Sequence, residues 1–374
     1  MSKTIHIVSF DYPYPPNYGG IIDVYYKLKT LRQAGVNIIL HYFADKKQDS
    51  EVINTLCEQV YFYPKKPVIN SGVFSDLPLR MVLRSNKSIL NNLLKDDFPV
   101  FFEGLHSSFI STCPELHGRR MFLRCHNAEA EYAANMANTE TNFVKRKTFE
   151  IEAKRTAKFE KKLHHFTGLF VLTEKDKAYF ENTNENVKLL PIFHQDNGVE
   201  EPDNLGNYIL FHGNLSVNEN IQTAKWIVNE IAPQFWDFNF IIAGKDPDAS
   251  FVRECDQQNV TCIANPSQQK MDDLIRDSQI ILLKTAVPSG IKLKLVDSLA
   301  KGRHIISDEN TVVSSGLEKL VHIANHNDEV IKEIRLHMHE AVDPTQIYER
   351  NVVFNQLLNN DKNANWLINE IFEK

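Results

Sequence analysis

Five cysteines (Cys57, Cys113, Cys125, Cys255 and Cys262) are scattered through 374 residues with neither paired nor metal-ligand spacing. That pattern argues against a disulfide framework and for reduced, mostly buried thiols of a cytosolic protein. No apolar run approaches the ~20 residues that a membrane-spanning helix needs. The N-terminal run Ile5 to Phe10 contains a histidine and is too short for a span or an export signal. Basic charge is not in excess either: 42 Lys and Arg against 48 Asp and Glu leave a net charge of -6. A general nucleic-acid binder is thereby disfavoured, although local basic faces remain open. Gly-x-Gly-x-x-Gly is missing after the first apolar run, which speaks against a dinucleotide cofactor. Nor is there an internal repeat or a low-complexity tract.

What is there is an alternation of short β-rich runs with longer amphipathic stretches, the pattern of a parallel α/β protein. Thr4 to Ser9, Asn37 to Phe43, Val100 to Phe102, Met121 to Cys125 and Gly168 to Leu172 read as buried strands. The series then restarts with Tyr208 to Phe211, Phe238 to Ala243, Val260 to Ile263, Ile280 to Leu283 and His304 to Ile306. Two series predict two Rossmann-like domains, at 1–190 and 207–360. Between them the segment from Pro191 to Gly206, rich in Pro, Gly, Asn and acids, reads as the linker. Residues 361–374 read as a terminal helix carrying Trp366, Ile368 and Phe372.

The most informative stretch runs from Val287 to Gly302, V-P-S-G-I-K-L-K-L-V-D-S-L-A-K-G. A Ser-Gly turn after an apolar strand opens a helix whose unpaired amides and dipole favour an anion. Lys292 and Lys294 lie beside it, and Asp297 offers a carboxylate to a ribose. The implied ligand is a nucleoside diphosphate. This segment resembles the donor-sugar motif of retaining family-4 glycosyltransferases of the GT-B fold. Three further segments support the resemblance in order. Asp11 to Gly20 is a Pro-rich loop ending in Gly19-Gly20 before a helical stretch, Ile21 to Ala34. Arg124-Cys-His-Asn-Ala-Glu129 puts His126 at a strand end, where the family often has a histidine facing the transferred sugar. Phe211 to Ile221 matches a strand, Gly, x, Leu and helix segment.

The resemblance implies a GT-B architecture, two domains facing a central cleft with the last helix returning to the first domain. It implies hexose transfer with retention from a nucleoside diphosphate sugar to a glycan or lipid-linked acceptor. No tightly bound metal or cofactor is implied. Donor contacts are expected from Gly19, Gly20, Gly213, Asn214, Lys245, Ser289, Gly290, Ile291, Lys292, Lys294 and Asp297, and catalytic contacts from His126 and Glu103. Glu103, which ends the strand before His126, reads equally as an acceptor-hydroxyl base or as a residue of a capping or cross-strand ion pair. Bacterial surface polysaccharide synthesis, in the cytoplasm or at the inner face of the membrane, is the setting the family suggests.

The sequence also departs from the family. Asn214 and Glu219 stand where many members carry Arg or Lys, and the usual Glu, seven residues, Glu pattern reads Ser289 and Asp297. Positive charge for the diphosphate is then expected from Lys245, Lys292 or Lys294. Asp246-Pro-Asp248 imitates an Asp-x-Asp metal site but reads better as turn chemistry. Lys145 to Lys162 holds eight basic residues against three Glu on a stripe of Val144, Thr148, Ile151, Phe159, Leu163 and Phe166. It and the shorter Leu77 to Lys87 stretch read either as membrane contacts or as ordinary packed helices. A sugar-nucleotide epimerase and a non-catalytic binder of sugar nucleotides or glycans remain the alternatives.

Overall fold

The computed structural model describes residues 3–67, 75–140, 142–195, 198–255, 259–286, 288 and 290–373. The chain forms two compact units, Met1–Asp196 with Leu358–Lys374, and Asn197–Leu357.

In the first unit, among the described residues, the strands β1 (Thr4–Ser9), β2 (Asn37–Ala44), β3 (Gln59–Pro64), β4 (Val100–Glu103), β5 (Met121–Cys125), β6 (Gly168–Val171) and β7 (Val187–Leu189) make one parallel sheet. Its order is β3-β2-β1-β4-β5-β6-β7, so the winding reverses between β1 and β4. Central strands such as β1, with Ile5, Ile7 and Val8 buried, are largely apolar because helices cover both faces, and the one buried polar side chain among its first five residues, His6, bonds His41 and Asp96. One layer of core holds Ile7, Val24, Leu28, Leu40 and Phe101; the other holds Val8, Phe43, Phe102, Leu123 and Leu169.

The terminal helix Asn360–Phe372 packs into the first of these layers through Ala364, Leu367, Ile368 and Ile371. Trp366 meets Phe170 edge-on at 5.8 Å between ring centroids, a contact worth ~0.5–1.5 kcal/mol beyond burial. Chain order would put this helix with the second unit. Its apolar face, exposed without a partner, instead completes the first.

In the second unit β8 (Ile209–Asn214), β9 (Phe240–Lys245), β10 (Val260–Ala264), β11 (Ile280–Leu283), β12 (His304–Ser307) and β13 (His322–Ile323) form a parallel sheet in the order β10-β9-β8-β11-β12-β13. Here the winding reverses between β8 and β11.

β3, β7 and β13 have no clear counterpart in the sequence pattern. They lie at or beside a sheet edge, where a continuous apolar run is not required, and pairing with β2, β6 and β12 defines them. The linker is less loose than its composition suggests. Ile192, Phe193 and His194 are buried in the first unit, where the His194 ring contacts the carbonyl of Leu358 at 2.9 Å. On the other side of the boundary Glu200 pairs with Arg276 in the second unit, at 2.5 and 2.9 Å.

Candidate functional site

In open α/β sheets, ligands meet the carboxyl ends of the strands where the winding reverses. In the first unit that position lies between β1 and β4, and it is occupied by a buried ionic cluster. The helix Gly19–Gln33 presents Asp23 and Lys27, one turn apart, on the face that also buries Val24, Leu28 and Leu31. β4 contributes Glu103 at its end, and β5 contributes Arg124. The Lys27 ammonium lies 2.7 and 2.9 Å from the two oxygens of Glu103 and 3.3 Å from Asp23. Arg124 Nε donates to Asp23 at 3.2 Å, while its terminal nitrogens donate to the carbonyls of Leu190 and Pro191. The other Asp23 oxygen accepts from the Phe193 amide at 2.7 Å. Burial by itself would favour the neutral form of each carboxyl. For Asp23 the Arg124 and Lys27 cations, and for Glu103 the Lys27 cation, overcome it, so both are held below the ordinary carboxylate range.

His126 follows β5 and sits over this cluster with 13% of its side chain exposed. Its Nδ1 is 3.8 Å from Asp23 and its Nε2 is 3.5 Å from Glu103. Nε2 is shielded from solvent and has no hydrogen-bond partner among the described residues. Phe10 abuts the ring edge-on, centroids 5.8 Å apart. The same phenyl lies against two glycines. A Cβ on Gly20 would come within 2.8 Å of Phe10 Cζ, and Gly104, at φ +72°, has Phe10 3.3 Å from an added Cβ. A side chain at Gly20 would therefore have to displace the Phe10 ring, whatever ligand the loop receives. Gly19 begins the helix beside it.

Glu103 differs most from its reading as a base. It is wholly buried and both oxygens bond Lys27, an ion pair from strand to helix. Asp23, Glu103 and His126 converge closely enough to suggest a metal site. The fixed Lys27 and Arg124 cations already neutralise both carboxylates, and a dication there would face two positive charges. Asp23 and Lys27 were not singled out from sequence. Their signal was two charges one turn apart on the apolar face of a helix.

In the second unit the segments expected to contact a donor gather at the β8/β11 reversal. Gly213 and Asn214 end β8 beside Gly244 and Lys245 of β9. A Cβ on Gly244 would fall 1.8 Å from the Gly213 carbonyl oxygen, so the strands close only with hydrogen there. The Asn214 side chain accepts from Ser216 N at 3.0 Å, and its carbonyl accepts from the Asn220 side chain at 2.9 Å. The Lys294 ammonium then approaches Asn220 Oδ1 at 3.3 Å and lies 5.5 Å from the centroid of the Phe211 ring. Gly213, Asn214 and Lys294 thus meet around one asparagine. Burial depresses Lys294 to about 8, with Glu219 pulling the other way.

Three details differ from expectation. The helix begins at Leu293, three residues after Gly290, with Lys292 at its N-cap; Gly290 has a left-handed φ of +59°. Lys294 is therefore in the first turn, Ile291 is buried before it and Asp297 is half-buried one turn in. Glu219, a departure from the family pattern, accepts from the amide of Ala286 at 2.8 Å and from the Thr285 hydroxyl, clamping the segment after β11. Ser289 lies outside the described residues. Lys245 is about half exposed, 4.0 Å from Asp246. Asp246 itself has a left-handed φ of +51° and its amide donates to Asn265, which makes Asp246-Pro-Asp248 a turn before the helix Ala249–Cys255.

The two basic stretches differ. Met81 and Val82 of the second are buried, and Glu152 accepts from the amides of Leu79 and Arg80 at the start of its short helix. On the first, helix Phe143–Glu160, Phe159 is buried while Phe143, Val144 and Ile151 are 62%, 72% and 51% exposed.

No family model matches the chain. A protein of Klebsiella pneumoniae described as an uncharacterized 44.6 kDa protein in the cps region is 24% identical over 351 residues, which span 88% of this chain and 89% of that protein. Among solved structures, S. aureus TarM in complex with UDP superposes with a TM-score of 0.67 at 10% identity over 100% of both chains. The E. coli trehalose-6-phosphate structure bound with UDP-2-fluoro glucose gives 0.63 at 11% over 98% of each. Anabaena HepE with UDP and glucose gives 0.64 at 10%, over 99% of this chain and 100% of that one. The fold of this chain is GT-B.

Proposed function

We propose that this chain is a glycosyltransferase that moves a hexose from a nucleoside diphosphate sugar to a glycan or lipid-linked acceptor, with retention of anomeric configuration. The observation that carries the reading is the convergence of Gly213, Asn214 and Lys294 on Asn220 at the winding reversal of the second sheet. One lysine in a glycine-lined, strand-end position suits a diphosphate better than a neutral sugar. UDP and UDP-sugar in the solved neighbours support a uridine nucleotide as the first donor to try. The cps-region relative supports a surface polysaccharide as product.

In the first unit His126 would contact the transferred sugar through the part of its ring that stays exposed. Asp23 and Glu103 would position its ring. The Lys294 ammonium would take up the negative charge on the departing diphosphate. The exposed Phe143, Val144 and Ile151, among Lys145, Arg146, Lys147 and Lys154, support contact with an anionic lipid surface on the acceptor side, at ~1 kcal/mol per basic residue near the membrane.

A thermal-shift panel of UDP, GDP, ADP and their sugars tests the donor half. A ligand at a hundred times its Kd adds about 2.7 kcal/mol, enough to shift Tm. Nuclear magnetic resonance of the product's anomeric proton then tests retention. A panel with no shift, or turnover of donor to an isomeric sugar nucleotide without acceptor, would reject the proposal.

A further inference from the structure

Beside β13, the edge strand of the second sheet, lies a buried cation that no acid balances. Arg350, on the helix Pro344–Leu357, is 2% exposed. Its two terminal nitrogens donate to the carbonyls of Gly302, at 2.7 Å, and Arg303. Gly302 caps the helix Leu293–Lys301, so the negative end of that helix, equivalent to about half an elementary charge, offsets part of the guanidinium charge. No carboxylate offsets the rest. Among the described residues none pairs with Arg350, and burial alone lowers it to about 10 from 12.5, with no acid raising it back. A guanidinium has five N–H donors. Two serve the carbonyls, Nε is shielded without a partner, and each terminal nitrogen keeps one further hydrogen. A buried charge in that state is costly unless a counter-charge reaches it.

Space for a counter-charge is present. A cavity of about 100 Å³ is lined by Arg350 and Gln346 from the helix and by the segment Lys319 to His322, which leads into β13. About 10–15 Å³ of such space holds one water, so one small polyatomic ion fits in place of several waters. Arg350 is the buried group of the lining, Gln346 is half-buried and Lys319 is exposed. Leu320 and Val321 add apolar surface, beside which an ion pair is screened less than in open water. Burial, with His337, His304 and Arg350 adding to it, holds His322 down at about 3, so its ring is neutral at pH 7. Glu349 is the one acid in the lining, and it is exposed. Against it stand Arg350 and Lys319, which leave the lining net positive. A guanidinium, an ammonium and an amide around one small cavity suit a tetrahedral oxyanion, whose oxygens accept on every side.

We propose that this cavity binds one phosphate group, free or carried on a small molecule, with Arg350 as its buried counter-charge and Lys319 and Gln346 as its outer contacts. The site is separate from the segments expected to contact a donor. Arg350 meets the last turn of the Leu293–Lys301 helix, whereas Lys294 lies in the first, so the two anions would sit at opposite ends of one helix. It stands whether or not the chain proves to be a glycosyltransferase.

The test uses the full chain in phosphate-free buffer, in a Lys294→Met background so that the donor-site cation is gone. Calorimetric titration with inorganic phosphate should show one equivalent bound. Adding Lys319→Glu should weaken it at least tenfold, and so should Arg350→Lys, which keeps the charge but loses the planar fork. Bound phosphate should also move the nuclear magnetic resonance signals of the His322 ring, identified by their loss in His322→Gln. A parallel titration with methyl phosphate separates the two sources, since tighter binding than inorganic phosphate marks a carried group and weaker binding marks the free ion. Should Arg350→Lys fail to fold by circular dichroism, Lys319→Glu and the His322 signals decide. No binding, or binding that leaves His322 unmoved, would overturn the proposal. Binding indifferent to Lys319→Glu and Arg350→Lys would overturn it as well, by showing only adventitious surface ions.

Discussion

Lys294 offers the most direct test of the donor site. Its ammonium is pressed against Phe211 and Asn220, and burial brings it to about 8 where a free lysine stands at 10.5. A diphosphate bound beside it would stabilise the charged form and raise that value. The sign follows from linkage. A group whose pKa rises on binding favours the complex fully below its free value, and that benefit fades as pH climbs from the free value to the bound one. Nucleoside diphosphate affinity should therefore be level from about pH 7 to 8 and then fall by up to tenfold per unit, or about thirtyfold by pH 9.5. A charge-assisted hydrogen bond is worth ~1.5–3 kcal/mol. Lys294→Met should accordingly weaken binding about ten- to a hundredfold at pH 7.5 and flatten the alkaline decline. Lys294→Arg should keep much of the affinity and lose the pH dependence, because guanidinium does not titrate in this range. Lys292→Met should do little, since Lys292 precedes the helix and serves it through its carbonyl, which accepts from Leu295. Isothermal titration at pH 7.5, 8.5 and 9.5 reads all of this. Wild-type affinity in Lys294→Met, or a wild-type profile flat to pH 9.5, would refute the assignment and leave the diphosphate to helix amides or Lys245.

His126→Ala should lower kcat about a hundredfold while changing the Kd for nucleoside diphosphate less than threefold, the signature of a contact made as charge develops; the reverse split in steady-state kinetics and calorimetry would remove His126 from the sugar site. Gly20→Val must displace Phe10, whose ring would lie 2.8 Å from the new Cβ, so it should cost ~1–3 kcal/mol in urea unfolding and reduce turnover. Wild-type stability and turnover would refute that contact. Asp23→Ala leaves Arg124 and Lys27 short of a buried counter-charge and should cost ~3–5 kcal/mol, read in the same unfolding assay, whereas a change under 1 kcal/mol would mean the cluster is hydrated and weak.

Much of this protein is written locally. Runs such as Ile280 to Leu283 specify buried strands because a strand covered on both faces is favoured by uninterrupted apolar residues. Gly213 and Gly244 stand at strand ends where a side chain would block the approach of the neighbouring backbone. Such signals lie within a few residues of one another, so the two sheets and the glycines at their strand ends were legible. The partners of charges were not. Asp23 and Arg124 are 101 residues apart, and only the sheet order β1-β4-β5 beneath the Gly19–Gln33 helix brings them together. That same packing turns Glu103 inward onto Lys27, which an isolated strand-end glutamate could not reveal. The Phe143–Glu160 helix makes the complementary point, since its stripe reads as one face while Phe159 is buried and Val144 and Ile151 remain outside. The sequence by itself determined the two α/β units and the glycines and lysines at their strand ends. The tertiary structure decided which charges meet and where the last helix packs, because those outcomes depend on elements far apart in the chain competing for the same buried volume.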